Sequence, residues 1–177
     1  MSIEKIKNKL GDELKDTKLN LAVVLTEAGA LNLNKNQIYL IGLACAYATK
    51  NHELISAIIA DSTIVLSEAE HKAAKAAATI MAMNNVYYRF IHLVNDPIFA
   101  SMPAKLRMNV LGNPGIHKAD FELACLAISA LNGCGMCIEA HVRELLKTEI
   151  STESIQAAVR IAAVLNATAM ALSIIDH

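Results

Sequence analysis

The stretch ALNGCGMCIEAH, residues 130–141, decides both the fold and the chemistry expected of this chain. Its Asn132-Gly133 pair interrupts a long apolar segment and predicts that one helix ends there and another begins. Cys134 and Cys137 stand at the start of the new helix, and His141 follows one helical turn further on. Two cysteines at this spacing can close a disulfide or share a metal, so the stretch predicts redox or metal chemistry at a helix amino terminus.

Apolar residues recur at helical spacing along almost the whole chain. Two capping boxes mark helix starts, Asn34 with Gln37 and Ser67 with Glu70. No segment alternates between apolar and polar residues as a half-buried strand would, so the sequence predicts an all-α fold. The loop region around residues 96–103 should hold at most a short helix. The predicted helices lie near residues 3–14, 19–28, 38–48, 67–88, 119–131, 134–147 and 151–175.

The composition suits a single helical domain. Of 177 residues 54% are hydrophobic, with only 3 prolines and 7 glycines, which is enough apolar material for a core of closely packed helices. The formal net charge is -1 and no basic run stands out, which argues against nucleic acid as a partner. Charges interrupt the amino-terminal segment, so we expect a cytoplasmic protein without a secretory signal. In that compartment a CxxC pair indicates catalysis or metal binding more than a structural disulfide framework.

An internal repeat is indicated when residues 38–84 are laid over residues 121–167 at an offset of 83. We therefore expect one domain, residues 1–177, built from two similar helical halves of about 1–95 and 96–177. The reactive side chains are found in the second copy only. In the overlay Tyr39, Asn51, Leu54 and Ile58 stand opposite Glu122, Cys134, Cys137 and His141.

The helix start and the histidine suit thiol chemistry. A cysteine reacts as the thiolate, and the free N–H groups and dipole of a helix amino terminus stabilise that anion. One cysteine of the pair can attack a substrate, and the other can then close the disulfide. His141 lies one turn beyond Cys137 on the same helix face, so it can accept the thiol proton directly or through a water.

Glu122 completes a hypothetical proton relay. If Asn132-Gly133 reverses the chain, the two flanking helices run antiparallel. Glu122 precedes Gly133 and His141 follows it, so the two side chains lie on opposite sides of the turn. At the helical rise their positions are roughly 16 and 12 Å from the turn. Because the heights are similar, the carboxylate can orient the imidazole, and the relay would run from Cys137 through His141 to Glu122.

The same residues have other interpretations. A zinc site could use four ligands, Glu122, Cys134, Cys137 and His141. Redox chemistry is favoured over zinc because structural zinc sites usually serve small loop-rich modules. Taken alone, the histidine could be a hydrogen-bonded core residue and the glutamate could stabilise the first turn of its helix. Cys45 and Cys125 lie within apolar helical runs, so they are expected to be unreactive core residues.

The chain resembles the alkyl hydroperoxide reductase D (AhpD) proteins of the carboxymuconolactone decarboxylase-like group. The specific part of the resemblance is the combination of a glutamate, a CxxC pair and a histidine in residues 121–123 and 130–141. The pair Asn84-Asn85 and the aromatic residues after it support membership in AhpD proper. Further matches extend the resemblance nearly end to end: Ser2-Ile3-Glu4-Lys5, Lys18-Leu19-Asn20-Leu21, residues 83–89 and Asn113-Pro114-Gly115-Ile116.

The resemblance implies an all-helical homotrimer that acts as an antioxidant, lipoyl-dependent peroxidase and reduces alkyl hydroperoxides to alcohols. Cys137 would be the peroxidatic cysteine that passes through a sulfenic acid, and Cys134 the resolving cysteine and proton donor. Glu122 and His141 would form the proton relay. No tightly bound cofactor or metal is implied, since dihydrolipoamide on a lipoyl-bearing acyltransferase would reduce the Cys134–Cys137 disulfide. Some members carry a histidine where this chain has Met136, so here the relay would act without it.

The resemblance also implies an alternative role. In that role the protein is a disulfide-exchange adaptor that passes electrons from dihydrolipoamide to the peroxiredoxin AhpC, with little peroxidase activity of its own. Two further classes stay open on the residues alone: a non-redox lyase of the decarboxylase branch, which needs no dithiol, and a zinc-stabilised helical module. No residue pattern identifies the preferred hydroperoxide or the presence of a peroxiredoxin partner.

Overall fold

The computed structural model describes residues 2–175, and every regular element within them is a helix. This confirms the predicted all-α fold with the CxxC pair at a helix amino terminus in the later half of the chain. Two short 3-10 helices lie at Asp12–Leu14 and Asn109–Leu111. The α-helices of the described part are α1 (Ile3–Lys9), α2 (Lys15–Val24), α3 (Lys35–Thr49), α4 (His52–Ser62), α5 (Glu68–Val94), α6 (Pro97–Ser101), α7 (Lys118–Leu131), α8 (Gly135–Leu145) and α9 (Thr152–Ile174).

Side-chain caps explain where several helices begin. The side chains of Asn34 and Ser67 each accept a hydrogen bond from the backbone N–H of the third helical residue, Gln37 or Glu70. The Gln37 and Glu70 side chains in turn accept from the backbone N–H of the cap, so both predicted capping boxes are present. Asn51 caps α4 in the simpler way, through its side chain alone. These starts are therefore fixed by local sequence.

Helices α3 and α7 form the centre of the fold. Helix α3 packs against α4, α5, α7 and α9, and α7 packs against α5, α8 and α9. Both central helices present fully buried small side chains to their neighbours, among them Ala44, Cys45, Ala124 and Cys125. Small side chains let the helix axes approach closely, so α8 is held against a well-packed platform.

The helix starts in the two parts of the chain correspond. Helices α7 and α8 begin at the same offset from α3 and α4 that aligns the two copies in the sequence overlay. Helix α9 begins one position further along relative to α5. This spacing agrees with the repeat proposed from the sequence. The description of the chain as one domain with halves of about 1–95 and 96–177 stays a prediction.

Four elements differ from the sequence prediction. The helix expected near residues 3–14 is divided, since α1 ends at Lys9 and a 3-10 helix follows at Asp12–Leu14. Helix α2 ends at Val24 rather than near residue 28, because the hydroxyl of Thr26 bonds to the Val23 carbonyl and to the Gly29 N–H. Helix α4 was not predicted; it begins after Lys50, whose left-handed backbone (φ 60°) ends α3. Helix α5 continues beyond residue 88 until Asn95, where a left-handed residue (φ 50°) ends it.

Helix α9 is the one helix of residues 2–175 that is long and apolar enough to cross a membrane. Half of its apolar window is buried inside the protein. The helix packs against α2, α3 and α7, which identifies its apolar face as part of the core.

The turn between α7 and α8 depends on a glycine in the left-handed region. Asn132 ends α7, and Gly133 then adopts φ +66°. The N–H groups of Gly133 and Cys134 bond back to the carbonyls of Ala130 and Ser129, at 3.1 and 3.0 Å. This closure satisfies the end of α7 and reverses the chain, so that α8 packs along α7.

We expect Gly133→Ala to lower the free energy of unfolding by about 1–2 kcal/mol, the cost of a left-handed non-glycine residue. A Cβ there meets no atom within 4 Å, so the penalty is conformational and not steric. Gly112→Ala is the matched control, because Gly112 has φ -84° and its Cβ would make an ordinary contact at 3.6 Å. Urea denaturation of both variants measures the difference, and equal stabilities would contradict this account of the turn.

Candidate active site

The cysteine pair occupies the first turn of α8. Cys134 is the N-cap residue, and its sulfur accepts a hydrogen bond from the N–H of Cys137 at 3.4 Å. The two sulfurs form a disulfide, and the Cα atoms of the pair are 5.3 Å apart, within the ordinary range for a bridge. Cys134 is fully buried and Cys137 is 6% exposed. The helix start therefore places the two sulfurs in bonding range, but beneath the protein surface.

Glu122 and His141 form a buried pair between α7 and α8. The Nδ1 atom of His141 lies 2.6 Å from the Oε2 atom of Glu122, and both residues are less than one-tenth exposed. The antiparallel geometry expected from the Asn132-Gly133 turn thus brings the carboxylate and the imidazole together. A carboxylate at this distance fixes the orientation of the imidazole ring.

The other ring nitrogen of His141 has a neighbour that the sequence did not predict. Its Nε2 atom lies 3.3 Å from the sulfur of Met81, a residue of α5. Among residues 2–175, no hydrogen bond joins His141 to either cysteine in this disulfide form. The step from Cys137 to His141 in the relay therefore remains a prediction, whereas the contact of His141 with Glu122 is present.

An apolar cavity of about 370 Å³ lies in front of Cys137. Helices α5 and α8 form two of its walls, and residues from the segment before α7 close it. Apolar surface dominates the lining, which suits an organic molecule with a small polar group. Besides Cys137 and His141, the lining residues are Met81, Asn84, Tyr88, Met108, Leu111, Met136 and Ala140.

Sequence reasoning missed most of this wall. Met81, Asn84 and Tyr88 recur at helical spacing along one face of α5, and that periodicity was visible in the sequence. Nothing local connected that face to the cysteines, because the contact is made between segments that are distant in the chain. Met108 and Leu111 lie in the connection between α6 and α7, at the start and end of a short 3-10 helix, and the sequence carried no contact signal for this connection.

A hydrogen-bond network from Asn85 holds the turn that carries the cysteines. Its side-chain N–H group donates to the Ser129 hydroxyl at 3.0 Å, and its oxygen accepts from the Asn132 side chain at 2.9 Å. The guanidinium of Arg89 donates to the Asn132 carbonyl at 2.7 Å. Helix α5 thus fixes the last turn of α7 and, through it, the position at which α8 begins.

A second cavity, of about 560 Å³, borders the carboxylate side of the Glu122–His141 pair. Its lining includes Glu122 and several charged or titratable side chains: His117, Lys118, Glu144 and Lys147. The pair therefore lies between an apolar cavity on the cysteine side and a polar cavity on the glutamate side. This arrangement places charged side chains on the carboxylate side of the pair, while Cys137 faces apolar surface.

Cys45 and Cys125 are core residues, as predicted. Both are fully buried in the central helices α3 and α7. Burial raises the pKa of the Cys45 thiol to about 12. Burial, and then the nearby charge of Glu122, raises the pKa of the Cys125 thiol well above its ordinary value. Both groups are therefore protonated and unreactive near neutral pH.

The geometry does not favour the zinc interpretation. Within residues 2–175, no three His, Cys, Asp or Glu side chains converge in an arrangement that could hold a metal ion. Cys134 and Cys137 are bonded to each other, and His141 is hydrogen-bonded to Glu122. The four residues are thus arranged as a disulfide beside a hydrogen-bonded pair of a carboxylate and an imidazole.

Comparison with known proteins gives one family model and several relatives that share one name. The carboxymuconolactone decarboxylase family model matches residues 97–175. A protein of Coxiella burnetii named alkyl hydroperoxide reductase AhpD is 51% identical over 99% of this chain and 98% of its own length. Proteins of the same name from Rhodospirillum centenum and Beijerinckia indica are 53% and 50% identical, each over 97% of this chain and over 91% and 94% of their own lengths.

The accessibility of the four cysteines gives a direct test of the site geometry. After reduction, iodoacetamide should modify Cys137, which lines the cavity, in the folded protein, and all four thiols of the protein in denaturant. Cys45 and Cys125 should remain unmodified in the native state because they are buried and protonated. Intact mass and peptide mapping give the count, and native modification of Cys45 or Cys125 at a comparable rate would contradict the assignment.

Proposed function

This chain belongs to the AhpD proteins of the carboxymuconolactone decarboxylase family, and we propose that it reduces alkyl hydroperoxides to alcohols through the Cys134–Cys137 pair. The observation that carries the proposal is the placement of Cys137. Its side chain lines the apolar cavity together with His141, whereas Cys134 is fully buried and does not. An alkyl group fits such a lining, and its peroxide group would meet the sulfur of Cys137.

The first half of the cycle oxidises Cys137. In the reduced protein, His141 takes the proton of the Cys137 thiol, and Glu122 stabilises the resulting imidazolium. The thiolate attacks the terminal oxygen of the hydroperoxide, so an S–O bond forms as the O–O bond breaks. The alkoxide leaves as an alcohol after it takes a proton from Cys134, which becomes a thiolate. Cys137 is now a sulfenic acid.

The second half closes the disulfide. The Cys134 thiolate lies at the N-cap of α8, where the helix dipole and the N–H of Cys137 stabilise its charge. It attacks the sulfur of the sulfenic acid and expels hydroxide, which takes the proton held by His141 and leaves as water. One hydroperoxide and two thiols thus yield one alcohol, one water and one disulfide. The close approach of the cysteine pair supports this step, since no rearrangement of the backbone is needed.

A dithiol must then reduce the disulfide, and we propose dihydrolipoamide carried on an acyltransferase. The pair is buried, so the reductant has to reach it below the surface. A slender flexible dithiol arm can enter such a site, whereas a cysteine held in a folded domain needs an exposed partner. The same argument favours direct peroxidase activity over the alternative role, an adaptor that passes electrons to the peroxiredoxin AhpC.

A homotrimer and a cytoplasmic location complete the proposal. Exposed apolar side chains lie along the carboxyl-terminal half of α5 and in the segment of α6 and Met102 that comes after it. They support self-association. Those exposed by about half or more are Val86, Phe90, Leu93, Ile98 and Met102. Exposed apolar side chains concentrated along one helix and the segment after it are typical of a protein interface.

We expect Cys137→Ser to abolish hydroperoxide consumption when dihydrolipoamide is the only reductant, because the attacking sulfur is lost. The measurement is peroxide loss over time, with circular dichroism as the check that the fold is intact. Full activity in this variant would overturn the proposal. Adding a purified peroxiredoxin AhpC to the wild type separates the two roles: activity that requires the peroxiredoxin would identify an adaptor.

We expect Glu122→Gln to lower the rate of hydroperoxide reduction by about 10²-fold, because a neutral amide cannot stabilise the His141 imidazolium. Glu144→Gln is the control, since Glu144 borders the polar cavity but does not contact His141. Its rate should stay within about twofold of the wild type, as expected for an exposed charge. Equal rates for the Glu122 and Glu144 variants would remove Glu122 from the relay.

A further inference from the structure

Two adjacent asparagines of α5 are buried near the cysteines, but only one has its hydrogen bonds satisfied. Asn85 donates to Ser129 and accepts from Asn132. Asn84 is 3% exposed, and its Oδ1 atom has no partner. It is the one buried side-chain nitrogen or oxygen in residues 2–175 for which that is so. Buried polar atoms are almost always paired, because an unpaired one destabilises the fold.

The position of Asn84 shows what could pair with it. Asn84 lines the apolar cavity, between Met81 and Tyr88 on the same face of α5. The sulfur of Cys137 lies 3.9 Å from its backbone carbonyl oxygen. Among the other polar lining groups, the Tyr88 hydroxyl contacts the Met108 sulfur and the Nδ1 atom of His141 contacts Glu122, whereas Asn84 carries the unpaired oxygen. The residue with the unpaired oxygen therefore belongs to the cavity wall beside Cys137.

We propose that Asn84 binds the peroxide group of the substrate and orients it toward Cys137. This inference rests on the peroxidase function proposed above and deepens it. The Oδ1 atom accepts the O–H of the hydroperoxide, and the Nδ2 group donates to the oxygen that carries the alkyl group. With the terminal oxygen held against the sulfur, the O–O bond is aligned for displacement.

Asn84 also assists the step in which charge moves. As the Cys137 thiolate bonds to the terminal oxygen, negative charge develops on the alkoxide, which Nδ2 stabilises by its hydrogen bond until Cys134 supplies the proton. The terminal oxygen becomes the hydroxyl of the sulfenic acid, whose O–H remains bonded to Oδ1. No atom of Asn84 is transferred, and the products are those of the cycle already described.

This role explains why an amide occupies a place that apolar packing would fill more stably. Asn84 is matched to a ligand that carries one donor and two acceptor oxygens, and such a ligand satisfies both ends of an amide. Asn85, by contrast, is matched to the protein itself. The two neighbours therefore separate into a substrate-binding and a structural asparagine, and substitution should affect different properties.

The test compares Asn84→Leu with Asn85→Leu, each of similar shape to asparagine. Pre-reduced protein is mixed with cumene hydroperoxide, and disulfide formation is followed in a single turnover. Asn84→Leu should slow this reaction by about 30- to 100-fold, because both hydrogen bonds to the peroxide are lost. Its iodoacetamide reactivity at Cys137 and its reduction by dihydrolipoamide should stay within about twofold of wild type.

The melting temperature separates a substrate-binding role from a structural one, because loss of a structural residue would lower it. Asn84→Leu should melt no lower than wild type because it removes an unpaired buried oxygen, whereas Asn85→Leu should melt lower. Wild-type single-turnover kinetics in Asn84→Leu, or an equal loss of peroxide and iodoacetamide reactivity, would overturn the inference alone. If the wild-type protein itself formed no disulfide with the hydroperoxide, the peroxidase proposal would fail and the inference with it.

Discussion

The hydrogen bond between Glu122 and His141 is the interaction on which the rest of the site depends. Burying a carboxylate and an imidazole in an apolar core is costly unless each satisfies the other. The two groups can meet at 2.6 Å only if α7 and α8 run antiparallel at matched heights. That requirement explains the left-handed Gly133 and the hydrogen bonds by which Asn85 holds the end of α7. The scaffold around the turn is therefore organised to keep one acid–base pair beside two sulfurs.

The first part of the chain shows the same framework without the chemistry. Asn51 caps α4 as Cys134 caps α8, at positions that the sequence overlay aligns. An asparagine side chain satisfies the free N–H groups of a helix start in the ordinary way. A sulfur at the equivalent place gives up part of that stabilisation and gains a thiolate favoured by the helix dipole. Cys134 thus combines two roles, as the N-cap residue of α8 and as one cysteine of the CxxC pair.

Local sequence predicted most of the helices and the contact of Glu122 with His141, and for a physical reason. Capping boxes at Asn34 and Ser67 and the break at Asn132-Gly133 act within a few residues, so the sequence shows them directly. The meeting of Glu122 with His141 followed from the chain reversal at Asn132-Gly133 and the helical rise. What the sequence could not supply were contacts between distant segments.

Those missing contacts come from the way α5 packs across α7 and α8. They are the cavity wall from α5, the approach of Met81 to His141 and the unpaired oxygen of Asn84. Helical periodicity marks such a face as buried, but it does not say what the face is buried against. The extra helix α4 was missed for a different reason, because its start follows directly on the left-handed end of α3 at Lys50.

The most direct measurement of the central claim is the stoichiometry of one turnover. Reduced protein is mixed with one equivalent of cumene hydroperoxide, the alcohol is quantified, and the disulfide is located by peptide mapping. The account predicts one alcohol for each Cys134–Cys137 disulfide formed, with Cys45 and Cys125 still reduced. Thiols that stay reduced, or a disulfide that forms without a matching alcohol, would contradict it.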